Sequence, residues 1–105
     1  MSKRTAPIFP RQKQQVETLG QRLALARLRR QIPQIEMAER MGVSRQTLIK
    51  LEAGDVSVGL SVLLRALDLL GLGADIERIA AEDDIGRRLE DVRLSRAPRR
   101  RTRPR

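Results

Sequence analysis

An all-α fold, a small bundle of short helices, is what this chain of 105 residues predicts. Three observations carry that prediction. Apolar residues recur at spacings of three and four through most of residues 15–94, which is the helical period. Phe9 is the one aromatic residue and there is no cysteine, so the core has to be aliphatic and is not stapled by disulfides. Gly42, Gly54 and Gly71 fall where periodic stretches end, the place of a C-cap glycine.

Residues 1–14 hold Pro7, Pro10 and four basic side chains around Ile8 and Phe9, and read as a basic flexible arm. Helix 1 is expected over 15–31, with Val16, Leu19, Leu23 and Ala26 on one face and Leu25 and Leu28 as a second apolar edge. Helix 2 begins near Pro33, a residue whose missing N–H costs nothing in a first turn, and turns Met37, Ala38 and Met41 inward. Gly42 makes the turn, because glycine takes the positive φ that other residues resist. Ser44 is the N-cap of helix 3, Arg45 to Ala53. Leu48 and Leu51 share its inward face, and Arg45, Gln46, Ile49 and Lys50 share another. Long polar donors outward and leucines inward, joined by a tight turn to a preceding helix, is the layout of a major-groove reader.

After the loop 55–59, Leu60, Leu63, Leu64, Leu67 and Leu70 give helix 4, and Ile76, Ile79 and Ala80 suggest a short helix 5, with a strand as the alternative. Glu82, Asp83 and Asp84 suit the start of a last helix. Its stripe, Ile85, Leu89 and Val92, either packs back on helix 4 or 5 or forms a docking edge for a second copy or a partner protein. Pro98 and the arginines beyond it read as a tail. The expected organisation is a basic arm (1–14), a helix-turn-helix domain (15–72), a dimerisation or partner-docking segment (73–95) and an arginine-rich tail (96–105).

The net charge of +9 is unevenly spread. Residues 1–14 carry +4, residues 96–105 carry +6, and the remainder is −1. Within the remainder, 16–65 is +3 and 66–95 is −4. Chemistry is sparse. With neither cysteine nor histidine there is no thiol nucleophile, no imidazole base and no ordinary zinc site. No phosphate-loop glycine motif is present, and no cofactor site is expected. An enzyme is the class least supported. No run of ~18 apolar residues would cross a membrane, no secretory signal is visible, and a cytoplasmic location is the default.

Residues 19–72 resemble the Xre/Cro type of helix-turn-helix regulator, of the lambda-repressor-like fold. The resemblance is carried by Leu19-Gly20, Leu23, Arg27, Gln34, Met37-Ala38-Glu39, Gly42 through Leu48, Leu51-Glu52, Gly54 and the leucine helix 63–70 with Gly71. It implies that Arg45, Gln46 and Lys50 read bases and that Ser44 and Thr47 contact the DNA backbone. It also implies that Gln34 meets a phosphate and that Arg27 and Glu52 form a buried ion pair tying helix 1 to helix 3. Ile49 departs from the small or polar residue common at its position; it either meets a thymine methyl or plays no part. The flanks Pro7 to Gln12 and Asp83 to Val92, with arginines following, resemble the HipB-like antitoxins paired with HipA-type kinase toxins. The expectation is a homodimeric repressor of its own operon, bound to double-stranded operator DNA and to a HipA-like kinase. The alternative is an adaptor with this fold that binds nucleic acid only through its basic arms.

Overall fold

A computed structural model describes residues 6–96; the outer parts of both basic arms, 1–5 and 97–105, lie outside the described residues. The elements are α1 (Pro10–Arg29), α2 (Gln34–Met41), α3 (Arg45–Glu52), α4 (Leu60–Leu69), a 3-10 helix (Gly73–Arg78) and α5 (Asp84–Arg96). There is no strand among the described residues. The all-α class is therefore the observed one.

Helix α1 starts five residues earlier than the pattern of apolar residues indicates. Pro10 occupies its first position, and the Gln12 side chain turns back to accept the Phe9 N–H at 3.0 Å. Residues 10–14 are thus helical and not part of an arm. The other end closes where Gln31 takes a left-handed φ of 56° and Ile32 N–H donates to the Arg27 carbonyl at 3.2 Å.

The core lies between α1, α2, α3 and α4. Leu23, Ala26, Met37, Ala38, Met41, Leu48, Leu51, Ala66, Leu67 and Leu70 are buried, and Met37 and Leu48 are the largest of the fully enclosed side chains. Burying one such side chain stabilises the fold by about 1.5–3 kcal/mol. The inward face of α4 is rotated from the expected one. Ala66 is inside, while Leu60 and Leu64 are exposed.

The crossing of α1 over α3 depends on Gly20. A Cβ placed there would stand 2.8 Å from the Leu51 carbonyl oxygen and closer still to that of Glu52. Backbone cannot swing aside as a side chain does. Gly20→Ala is accordingly expected to lower stability by about 1–3 kcal/mol, although alanine is the better helix former by about 1 kcal/mol. Chemical denaturation with the unchanged m-value of a two-state domain is the measurement. Gly54 has a like constraint: its φ is 80°, and a Cβ there would stand 2.6 Å from the Glu17 Cα.

Beyond α4 the expected helix 5 is the 3-10 helix, in which residues three apart also share a face. Ile76 is partly buried against the core, and Ile79 is exposed. Ala80, with a φ of 61°, then redirects the chain. Asp83 accepts the Gly86 N–H at 2.9 Å and so caps α5. The acidic triplet is further engaged by Arg87, which lies 3.6 Å from Glu82 and 3.9 Å from Asp84. The stripe on α5 does not pack back on helix α4 or the 3-10 segment: Ile85, Leu89 and Val92 are 71%, 66% and 47% exposed.

Candidate nucleic-acid interface

The turn between α2 and α3 sets the direction of α3. Gly42 has a φ of 70°, its N–H donates to the Glu39 carbonyl, and Val43 N–H donates to the Ala38 carbonyl, both at 3.0 Å. These bonds satisfy two of the last four carbonyls of α2, those of Ala38 and Glu39. The Met41 carbonyl, left over, accepts from the Arg65 guanidinium at 2.7 Å. Ser44 then leaves the turn extended, and its Oγ accepts the Thr47 N–H at 3.1 Å as the N-cap of α3. The Thr47 hydroxyl lies 2.9 Å from the same oxygen. Both residues are therefore at the mouth of α3, tied to each other.

The 100° step of a helix separates the faces of α3. Leu48 and Leu51 point into the core, with 0% and 8% exposure. Arg45, Gln46, Ile49, Lys50 and Ala53 occupy the opposite arc, and all five are exposed. The structure thus brings the three long donors onto one outward surface, with Ile49 in the middle.

Behind that surface is a buried polar cluster. Arg27 Nε donates to Glu52 Oε2 at 2.7 Å, and its Nη2 donates to Oε1 at 3.1 Å, a two-pronged contact. The remaining Nη1 donates to the Ile32 carbonyl at 2.9 Å. The side chains of Arg27 and Glu52 are nearly enclosed. Gln34 joins them, its Nε2 donating to Glu52 Oε1 at 3.0 Å. Every buried side-chain nitrogen and oxygen among the described residues has a partner. One carboxylate therefore holds α1, the start of α2 and the end of α3 in register. The side-chain amide of Gln34 faces this cluster, so what the first turn of α2 can offer an anion is its backbone N–H groups, which have no carbonyl ahead of them in the helix.

Asp55, just after α3, is a further polar feature, in a stretch that the apolar pattern marks only as loop. Its carboxylate accepts the Ser57 hydroxyl at 2.6 Å and the Ser57 N–H at 2.8 Å. These hydrogen bonds, the hydroxyl's first, together with the nearby Lys50 charge, hold its pKa below the ordinary carboxylate value. An Asp two residues before a Ser is the sequence signal for this turn.

A family model described as a helix-turn-helix domain matches residues 18–80, more than half of the chain. The chain belongs to this helix-turn-helix family. No curated protein and no solved structure matches it. The matched span runs from the middle of α1 to just past the 3-10 segment and leaves α5 outside. In the helix-turn-helix protein α2 and α3 are the paired helices, α3 stands in the place of the recognition helix, and the chain is a DNA-binding regulator of the Xre-like kind. None of its described helices is long and apolar enough to cross a membrane.

Proposed function

We propose that this helix-turn-helix protein is a sequence-specific repressor that binds double-stranded operator DNA as a homodimer, silences its own operon and serves as antitoxin to a HipA-like kinase. The observation that carries the reading is the outward arc of α3, where Arg45, Gln46 and Lys50 stand together over a face sealed by Leu48 and Leu51. Arginine and lysine donate to guanine O6 and N7, and glutamine pairs with adenine N6 and N7. Ser44 and Thr47 at the mouth of α3, and the N–H groups at the start of α2 around Gln34, are the groups this proposal assigns to phosphates. A promoter fusion tests the repressor role. The intact protein silences a reporter driven by the DNA upstream of its own gene, and the variant lacking Arg45, Gln46 and Lys50 side chains leaves it active.

Two copies are needed because one recognition helix reads only a few base pairs; a two-fold dimer presents two of them to major grooves ~34–36 Å apart. The exposed stripe of α5 supplies an apolar surface for the contact. Leu89→Asp is expected to convert the dimer to monomer in sedimentation and to weaken operator binding by about tenfold or more, with the melting of the helix-turn-helix unit unchanged.

The kinase partnership rests on the resemblance of the flanks to HipB-like antitoxins. The surfaces offered to it are the segment 74–105 and the exposed Leu25 and Leu28 edge of α1. Co-expression with a kinase encoded beside the gene would relieve growth arrest by that kinase; persistent arrest would remove this part of the reading.

A further inference from the structure

Ile49 is the apolar residue in the middle of the reading arc. Of the three large apolar residues in α3, Leu48 and Leu51 are in the core, and Ile49 is 41% exposed. Its angular position lies between those of Arg45, one turn earlier, and Gln46, with Lys50 beyond, so a partner held by these donors must also cover it. In the free protein a β-branched apolar side chain placed there loses by its exposure to water, and isoleucine is a poorer helix former than alanine or lysine. Nothing within α3 itself is gained by it.

The major groove presents hydrogen-bonding groups at every base pair and one apolar group, the C5-methyl of thymine. Resting on the DNA-reading role proposed for α3, we infer that Ile49 is a specificity-determining residue that reads a thymine methyl at a fixed place in each half-site, beside the bases taken by Arg45 and Gln46. Arg45, Gln46 and Lys50 would then select by hydrogen bonds, and Ile49 by exclusion of water from a methyl group. The preference is for thymine, or for 5-methylcytosine offering the same group, over cytosine and uracil.

Uracil differs from thymine only by that methyl group, so it separates the contact from every hydrogen bond. The experiment selects the preferred duplex from a random pool with the full chain, then replaces each thymine of the selected half-site by uracil, one at a time. Affinities are measured for the wild type and for Ile49→Ala, whose fold is checked by thermal melting. The expected result is one thymine per half-site whose change to uracil weakens the wild type by about fourfold, the worth of one buried methyl. At that position Ile49→Ala is insensitive to the change, and 5-methylcytosine paired with guanine recovers part of the loss relative to cytosine. If no thymine matters, or if the same thymine matters equally in Ile49→Ala, the inference is overturned while the repressor reading stands. If selection enriches no sequence, the DNA-reading role itself fails and the inference falls with it.

Discussion

Glu52→Ala is expected to lower the unfolding free energy by about 3–5 kcal/mol. The carboxylate accepts two bonds from Arg27 and one from Gln34. Its removal leaves a nearly enclosed guanidinium with no counter-charge, and the start of α2 loses its tie to the end of α3. Arg27→Ala has the same expected magnitude, because it strands the carboxylate and also frees the Ile32 carbonyl. The two losses are not additive: in the double variant no uncompensated charge remains, and the total falls short of the sum. Denaturant unfolding of the four proteins checks this. Additive losses would mean that the pair is solvated in solution.

The triple variant Arg45→Ala, Gln46→Ala, Lys50→Ala is expected to do the reverse. Each good pair with a base edge discriminates by ~1–3 kcal/mol, so the three together account for a preference of about 10³ or more over unrelated DNA. The variant should lose that preference, keeping only the small thymine preference assigned to Ile49. Its stability should stay within about 0.5 kcal/mol of the wild type, since these are surface positions, and alanine suits the interior of a helix. The contrast between the two sets of variants separates positioning from reading. Glu52 and Arg27 hold α3 in place without reaching outward, and the three proposed readers reach outward without holding anything.

Much of this layout is legible in the residues. Leu48 and Leu51 three apart, Ser44 before them and Gly42 before that mark the turn and the inward face of α3, and the structure places them so. The buried pair Arg27 and Glu52 is also where the family resemblance puts it. Other features needed the three-dimensional arrangement. Arg11 to Gln15 is polar all round, so the first turns of α1 carry no apolar period; Pro10 and Gln12 set them instead. Ile76 and Ile79 are three apart, a spacing that α and 3-10 helices share. Gln34 is eighteen residues from Glu52, and no local pattern shows that its amide turns to that carboxylate and not outward. Leu60 and Leu64 fit the α4 pattern as well as Leu67 does, and only the placement of α4 on α2 shows that Ala66 takes the inward position. The stripe on α5 is plain in the sequence, but a stripe does not state what covers it; among the described residues of one chain, nothing does.

Sequence-specific DNA binding is tested most directly by the affinity of the full wild-type chain, at near-physiological salt, for the duplex upstream of its own gene against a scrambled duplex of equal length. The predicted result is a preference of about 10³ or more that persists as salt is raised, even as both affinities fall with the number of phosphates neutralised. Equal affinity for the two duplexes, with both lost together at higher salt, would contradict it and leave the basic arms as the only parts of the protein that hold DNA.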